Sequence, residues 1–267
     1  MIKQKASGRI GVLDSGVGGL TVVRSLEKIL PGEDVVYFGD SANCPYGNRT
    51  KDDILRLMNN ILDFMEKEEV KCIAVACNTL STLYDEYAPA RKTKIFSIVQ
   101  AAADYVVSQK IKEVGLVSTE FTANSGWYPK LIHEQDPDVT LYVAGNYNLA
   151  SLLDGGHFEA VPDNVHGNMS RLFAQGHPHY VILGCTHYPI VRDAFEAEAP
   201  DVQFIDPAFE MARAIERWLK ENDLLQEKDT HKLEVYTSGD PAFYDSMLNR
   251  LGIQAPDVLA QKILPEE

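Results

Sequence analysis

The fold is decided by two matching stretches, Ile73-Ala-Val-Ala-Cys77-Asn78-Thr79 and Val181-Ile-Leu-Gly-Cys185-Thr186-His187. Each is a short apolar run that ends in a cysteine and small polar residues, and the two lie 108 residues apart. A second repeat, at an offset of 104, relates Ile10-Gly-Val-Leu-Asp14-Ser15 to Val114-Gly-Leu-Val-Ser118-Thr119. Two similar offsets predict two similar halves, each presenting one cysteine at the end of a buried strand.

Apolar runs and helical stretches alternate along the whole chain, which is typical of α/β proteins with parallel sheets. We expect strands at residues 10–13, 35–38, 72–76, 95–99, 114–117, 139–143, 180–183, 202–205 and 233–236. Thr50-x-x-Asp53 has the form of a capping box and predicts a helix after Thr50. A second helix is expected at 207–225, and the segment 145–178, rich in Gly, His and Asn, is expected to form a mobile rim.

The position of the two cysteines at strand ends predicts where a ligand would bind. In open parallel sheets, ligands bind beyond the carboxyl ends of the strands. If the two halves pack face to face around a pseudo-twofold axis, Cys77 and Cys185 face each other across a cleft. The repeat therefore predicts one site built from both halves.

Charge and apolar runs exclude several classes of protein. The 267 residues include 25 Lys and Arg against 39 Asp and Glu, a net charge of −14. Such a chain repels nucleic-acid phosphates and lacks a basic face for anionic lipid. No apolar run reaches the roughly 7–15 residues of a secretory signal or the roughly 20 of a membrane span. We expect a cytoplasmic protein that binds neither nucleic acid nor membrane.

The chain has four cysteines, too few for a disulfide scaffold at this length. A reducing compartment is the natural setting, so that any special cysteine acts as a thiol. Cys72, inside an apolar strand, and Cys44, in the loop before Pro45, are expected to have packing roles.

Two thiols on opposite sides of one carbon atom can invert its configuration. A thiolate removes a proton from one face while a thiol returns a proton to the other, and the reverse reaction exchanges the roles. Cysteine suits this chemistry because its free pKa of about 8.5 falls readily at a helix N-terminus or beside a cation. Asn78, Thr79 and Thr186 would hold the carboxylate of a small chiral acid. We interpret Cys77 and Cys185 as an acid–base pair.

Three other interpretations stay open on the residues alone. Cys77, Cys185 and His187 are side-chain types that bind zinc, although their spacing matches no common zinc motif. His187 with either cysteine fits a cysteine hydrolase, which leaves the other cysteine unexplained. The turn Ser15-Gly-Val-Gly-Gly19 is similar to a dinucleotide-binding loop, but Thr21 stands where that fingerprint requires glycine.

Five motifs together resemble one family over nearly the whole chain. They are Gly11-Val-Leu-Asp-Ser-Gly-Val-Gly-Gly-Leu20, Gly39-Asp40 with Pro45-Tyr46-Gly47, Ala76-Cys77-Asn78-Thr79, Ser125-Gly126-Trp-Tyr128 and Leu183-Gly-Cys185-Thr186-His187-Tyr188-Pro189. In this order they resemble the glutamate racemases of the cofactor-independent aspartate/glutamate racemase superfamily.

The resemblance implies two α/β domains with similar parallel sheets, related by pseudo-twofold symmetry, and an active site in the cleft between them. It implies a discontinuous first domain at residues 1–97 and 208–267, and a second domain at 98–207. It also implies that no cofactor and no metal take part, and that the protein is a homodimer.

Residue roles follow from the same resemblance. Cys77 and Cys185 would be the acid–base thiols, acting on the D- and L-enantiomer respectively, with Asp14 and His187 assisting them. The implied substrate contacts are Asp14, Ser15, Tyr46, Gly47, Asn78, Thr79, Thr119, Thr186 and His187. Asp154 stands where the family usually has glutamate.

The expected function is racemisation of glutamate by the two thiols, which supplies D-glutamate for peptidoglycan. Two alternatives remain. One is another acidic substrate, such as aspartate, or an isomerase or decarboxylase of the same superfamily. The other is a non-catalytic protein that binds acidic amino acids, in which the cysteines would be replaceable.

Overall fold

Two parallel sheets organise the computed structural model, which describes residues 7–264. Its strands are β1 Ile10–Asp14, β2 Val35–Gly39, β3 Cys72–Val75, β4 Lys94–Ser97, β5 Glu113–Thr119, β6 Thr140–Asn146, β7 Tyr180–Gly184, β8 Gln203–Ile205, β9 Leu233–Thr237 and β10 Val258–Gln261. Its α-helices are α1 Leu20–Ile29, α2 Lys51–Lys67, α3 Asn78–Ser81, α4 Tyr84–Tyr87, α5 Ile98–Ser108, α6 Glu120–Asn124, α7 Trp127–His133, α8 Leu149–Asp154, α9 Val161–Phe173, α10 Arg192–Glu198, α11 Pro207–Glu221 and α12 Pro241–Leu251.

The two sheets share one topology. Their strand orders are β10-β9-β2-β1-β3-β4 and β6-β5-β7-β8, and neighbouring strands are parallel throughout. If β9 and β10 are left out, the first sheet has the order β2-β1-β3-β4, which matches the order β6-β5-β7-β8 of the second sheet. Strands β1 to β4 thus correspond to β5 to β8. The register agrees as well, since Ile10 pairs with Cys72 and Val114 with Tyr180. The repeat in the sequence is therefore a repeat of sheet topology, and the predicted α/β class with two parallel sheets is confirmed.

The predicted strands are all present, with ends shifted by up to three residues. The predicted strand 95–99 ends early because the Ser97 hydroxyl accepts a hydrogen bond from the Gln100 N–H, at 3.4 Å, and caps α5. Strand β10, at the sheet edge, was not predicted. The segment 145–178, which we expect to form a mobile rim, contains the two helices α8 and α9.

Helix α2 shows how local sequence is matched to packing. The Thr50 hydroxyl accepts a hydrogen bond from the Asp53 N–H at 3.2 Å, so the predicted cap is confirmed. Ile54, Met58 and Ile61 lie on one face of the helix and are buried against the first sheet. A corresponding apolar cluster under α9 covers one face of the second sheet. A third cluster packs between the two sheets and includes residues of α1, α5 and α11.

After β8 the chain passes from the second sheet back to the first. Asp206 accepts a hydrogen bond from the Ala208 N–H at 3.0 Å and caps α11, which packs against α1 and α5. The next strand, β9, pairs with β2 and extends the first sheet. Within residues 7–264, no helix is long and apolar enough to span a bilayer.

Candidate active site

One cleft collects residues that follow the carboxyl ends of strands in both sheets. Its lining residues are Ser15, Cys44, Pro45, Tyr46, Gly47, Cys77, Asn78, Thr79, Thr119, Ala150, Cys185, Thr186 and His187. Cys77 follows β3 and Cys185 follows β7, which are equivalent strands of the two sheets. The structure thus brings both cysteines into the same cleft. It also places there each substrate-contact residue that the resemblance implies, apart from Asp14, which is buried beside the cleft.

Cys77 lies where β3 turns into α3, with the hydroxyl of Ser15 3.5 Å from its sulfur. Burial raises the pKa of its thiol to about 12, and the nearby negative charge of Asp14 adds to the shift. Hydrogen bonds from Ser15 and from the Leu80 N–H oppose this shift without reversing it. Cys77 is therefore a neutral thiol at neutral pH.

Asp14, the last residue of β1, is fully buried. One carboxylate oxygen accepts the Gly16 N–H at 2.9 Å, and the other accepts the Thr186 hydroxyl at 3.1 Å. Burial raises the pKa of this carboxyl to about 6, against the lowering effect of His187 and the hydrogen bonds. The contact with Thr186 also joins the end of β1 to the segment after β7, so that Asp14 connects the two halves of the site.

Cys185 faces an imidazole ring that is held by a carboxylate. His187 Nδ1 lies 3.6 Å from the Cys185 sulfur, and its Nε2 lies 3.0 Å from Asp154 Oδ1. Burial alone would lower the pKa of His187, but the Asp154 carboxylate outweighs burial and raises the pKa well above its ordinary value. The same pairing keeps Asp154 ionised, because it lowers the pKa of that largely buried carboxyl. His187 is therefore an imidazolium beside Cys185.

Hydroxyl and amide groups complete the wall of the cleft near Cys77. The Thr79 and Thr119 hydroxyls lie 3.2 Å apart, which links a residue after β3 to the end of β5. The Asn78 side-chain oxygen accepts a hydrogen bond from the Tyr128 hydroxyl at 2.7 Å. The Asn78 amide nitrogen is buried and has no hydrogen-bond partner among the described residues. This amide is a donor that can hold an oxygen of a bound ligand.

The glycine-rich turn after β1 allows the second half of the site to approach closely. A Cβ atom on Gly18 would lie 2.7 Å from His187 Nδ1, and one on Gly16 would lie 2.7 Å from Asp154 Oδ1. These glycines leave room for the His187–Asp154 pair, which is a packing reason for the motif that resembled a dinucleotide-binding loop.

Within the described chain, no three His, Cys, Asp or Glu side chains are placed to hold a metal ion. Cys77, Cys185 and His187 share the cleft, yet each already has a different neighbour: Ser15, His187 and Asp154 respectively.

Comparison with known proteins shows the family of this chain. Residues 10–215 match the family model described as Asp/Glu/Hydantoin racemase. The chain belongs to this racemase family. A glutamate racemase of Thermoanaerobacter pseudethanolicus is 33% identical over 236 residues, which cover 86% of this chain and 88% of the relative.

Solved structures of the family match over almost the full length. A glutamate racemase isoform from Bacillus anthracis superposes with a TM-score of 0.87 at 28% identity, covering 95% of this chain and 97% of the other. The Francisella tularensis glutamate racemase in complex with D-glutamate superposes with a TM-score of 0.85 at 30% identity, covering 96% and 98%. The fold of this chain is thus that of solved glutamate racemases.

Sequence reasoning did not foresee two contacts in the cleft. The sequence marks Asp154 only as a departure from the family pattern, whereas the structure pairs it with His187. Cys44 was expected to have a packing role, but it lines the cleft and its sulfur lies 2.7 Å from Asp154 Oδ2. The position of Cys44 beside Tyr46 and Gly47 was the available signal, because both were predicted site residues.

Proposed function

We propose that this protein interconverts L- and D-glutamate by transferring protons to and from two cysteines, without a cofactor. One observation carries the proposal: two thiols from equivalent positions in the two sheets line a single cleft, and they have opposite electrostatic partners. The choice of glutamate is supported by the glutamate racemases that match the chain over most of its length, one of them in complex with D-glutamate.

The proton transfers balance in both directions. From L-glutamate, the Cys185 thiolate takes the α-proton, so a C–H bond breaks and an S–H bond forms. The Cys77 thiol then delivers its proton to the opposite face of the α-carbon and becomes a thiolate. From D-glutamate, Cys77 takes the proton and Cys185 returns one. Each turnover leaves the two thiols with exchanged protonation states.

The surroundings of each sulfur suit these roles. The imidazolium of His187 can donate a hydrogen bond to Cys185 and stabilise negative charge on its sulfur. Cys77 remains a thiol because it is buried close to the Asp14 carboxylate. The two sulfurs thus have different surroundings, with His187 beside Cys185 and Asp14 near Cys77 as the proposed assisting groups.

The proposed substrate contacts lie around the two sulfurs. On the Cys77 side, Asn78, Thr79 and Thr119 offer an amide and two hydroxyls, and Ser15 adds a third hydroxyl. The remaining proposed contacts are Asp14, Tyr46, Gly47, Thr186 and His187. Local donors of this kind bind an anionic substrate despite the net charge of −14, because they act at short range from buried side chains.

Other properties belong to the same proposal. The chain acts in the cytoplasm, where its D-glutamate is available for peptidoglycan, and the four unpaired thiols of the structure suit that reducing compartment. The active form is a homodimer, which sedimentation equilibrium would test.

The two sheets are proposed to be the cores of two domains, residues 1–97 with 208–267 and residues 98–207. The pairing of β9 with β2 supports the discontinuous first domain. Residues 1–6 and 265–267 of that assignment lie outside the described residues.

The test is racemisation in deuterated water. Each enantiomer of glutamate should gain α-deuterium as it turns into its mirror image, followed by circular dichroism and mass spectrometry. Cys77→Ala and Cys185→Ala should each abolish inversion, whereas Cys72→Ala, at a buried thiol outside the cleft, should turn over like the wild type. Inversion at the wild-type rate in either of the first two variants would refute the two-thiol mechanism.

The same protein samples separate the alternatives. A panel of glutamate, aspartate and close analogues distinguishes a glutamate racemase from a relative with another acidic substrate. Calorimetry on the Cys77→Ala, Cys185→Ala double variant measures binding without turnover. A wild-type protein that binds glutamate but never inverts it would be a binding protein instead.

A further inference from the structure

A third thiol lies in the cleft, and the proposed reaction does not use it. Cys44 is in the loop after β2, next to Pro45, and its sulfur lies 2.7 Å from Asp154 Oδ2. Asp154 is at the end of α8, so the contact joins residues 110 positions apart in the chain. Burial and the nearby Asp154 charge both raise the Cys44 thiol pKa far above its ordinary value. Cys44 is therefore a fixed hydrogen-bond donor and not a third acid–base group.

The two oxygens of Asp154 have different partners. Oδ1 faces His187 Nε2 at 3.0 Å and accepts the Val17 N–H at 3.3 Å. Oδ2 accepts the Cys44 thiol, which is its one hydrogen-bond donor among the side chains that the structure describes. Asp154 has little freedom to move elsewhere, since it is largely buried and lies against the backbone of Gly16. The thiol thus fixes the rotation of the carboxylate that holds His187.

We propose that Cys44 is a positioning residue for the proton transfers of Cys185, acting through Asp154 and His187. The line of contacts runs from the Cys44 thiol to Asp154, from Asp154 to His187, and from His187 Nδ1 to the Cys185 sulfur at 3.6 Å. The groups that act on the Cys77 thiol include Ser15 and Asp14 but neither Asp154 nor His187, so Cys44 acts mainly on Cys185. This inference rests on the proposed racemisation.

Racemisation allows this asymmetry to be measured. The equilibrium constant between enantiomers is unity, so kcat/KM is equal in the two directions for any variant and cannot show which thiol is affected. Primary isotope effects on kcat/KM can show which of the two thiols is affected. α-Deuterated L-glutamate reports on proton removal by Cys185, and α-deuterated D-glutamate reports on proton removal by Cys77.

The decisive comparison is between Cys44→Ala, which lacks the donor, and Cys44→Ser, which keeps one. In Cys44→Ala, kcat/KM should fall roughly 2- to 10-fold, as expected for one hydrogen bond. The isotope effect on kcat/KM should rise with L-glutamate, because removal of its proton by Cys185 becomes more rate-limiting. It should fall with D-glutamate, because return of the proton from Cys185 becomes limiting instead. Cys44→Ser should recover most of the rate, and Cys72→Ala should match the wild type.

A simple structural role for Cys44 predicts a different result. Loss of packing would lower the rate in both variants and move the two isotope effects together, and that pattern would overturn the proposal. Unchanged kcat/KM in Cys44→Ala would overturn it as well. Thermal unfolding of each variant shows whether the cleft is still folded when these rates are measured.

A measurement without substrate separates this inference from the proposed function. The S–H stretching band of Cys44 can be isolated as the infrared difference between wild type and Cys44→Ala. It should lie at lower frequency than the band of Cys72 and move up in Asp154→Asn. If the wild type does not racemise glutamate but the band behaves in this way, the hydrogen bond from Cys44 to Asp154 is confirmed and the proposed racemisation is wrong. If the protein racemises glutamate but the band is that of a free thiol, the inference fails alone.

Discussion

The buried carboxyl of Asp14 should make the protein less stable while serving its activity. Asp14→Asn keeps the side-chain shape and an oxygen that accepts the Gly16 N–H, but it removes the negative charge from a fully buried position. We expect the variant to unfold at a higher denaturant concentration than the wild type at neutral pH. We also expect kcat/KM to fall roughly 100-fold, because Asp14 is proposed to assist proton transfer at Cys77.

The size of the stability change follows from the pKa of Asp14. It is about 6 in the folded protein against an ordinary value of 3.8, and each pKa unit corresponds to about 1.36 kcal/mol. Since the pKa is raised on folding, the folded state binds the proton more tightly, and stability is lost as the pH rises from about 4 to above 6. The ionised side chain therefore lowers the free energy of unfolding by about 3 kcal/mol at pH 8, and by about half of that at pH 5.

Urea unfolding of both proteins at pH 5 and pH 8, followed by circular dichroism, measures this difference. Other titrating groups are common to both proteins, so their contributions largely cancel. The advantage of Asp14→Asn should be about 3 kcal/mol at pH 8 and should shrink on acidification. A difference between the two proteins that is the same at both pH values would show that the charge of Asp14 is not the cause, and the reasoning would be refuted.

Three further substitutions test other contacts of the structure. Tyr128→Phe removes the hydroxyl that orients the Asn78 amide, so KM for glutamate should rise roughly 2- to 10-fold with a smaller change in kcat. Gly18→Ala places a Cβ atom 2.7 Å from His187 Nδ1. Circular dichroism should show a folded protein, and steady-state assays should give a roughly 100-fold lower kcat/KM. Lys71→Met leaves Glu33 as a buried charge without its ion-pair partner, so urea unfolding should show a loss of about 3–5 kcal/mol.

Each of these changes has a matched control. Tyr84→Phe removes a hydroxyl that bonds to a carbonyl away from the cleft, so an equal rise in KM would contradict the role of Tyr128. Gly167→Ala lies in α9, where the nearest atom beyond the adjoining helix backbone and chain neighbours would be Arg171 Nη1 at 3.6 Å. It should stabilise the helix by about 0.5–1 kcal/mol without loss of activity. Lys71→Met combined with Glu33→Gln should regain part of the lost stability; a double variant no more stable than Lys71→Met would count against the buried pair.

Local pattern was enough to predict the elements that bury a continuous apolar run. The repeat around Cys77 and Cys185 predicted equivalent strands, and the two cysteines do share a cleft. Strand β10 escaped prediction because it is a short edge strand, partly or fully exposed along its length. The end of β4 at Ser97 was not predicted, because the capping serine lies within a run of apolar residues whose pattern is that of one continuous strand.

Contacts between segments that are distant in the sequence could not be predicted from local sequence patterns. The Cys44–Asp154 contact spans 110 residues, and neither residue lies in a periodic segment whose partner could be read from the sequence. The hydrogen bond from Tyr128 to Asn78 spans 50 residues and joins two of the five motifs. The resemblance gives the order of these motifs along the chain but not their contact in space. Such pairs depend on how the two sheets are set against each other, which a repeat offset does not specify.

The repeat also explains how a nearly symmetric fold could give two cysteines different roles. The proposed mechanism needs one thiolate and one thiol at any moment, whereas two identical halves would give both sulfurs the same surroundings. At the offset of 104, Asp14 in the first half corresponds to Ser118 in the second. At the offset of 108, Thr79 corresponds to His187.

Each half thus contributes one charged group next to its own cysteine, and the two groups have opposite signs and non-equivalent positions. The carboxylate favours a proton on Cys77, while the imidazolium favours negative charge on Cys185. Two differences between the repeats are sufficient to polarise the pair. Since the proposed proton transfers also run in the reverse direction, these groups have to favour one protonation state of the pair without excluding the other. The ion pair between His187 and Asp154 meets that need, because part of the imidazolium charge is already neutralised by a carboxylate.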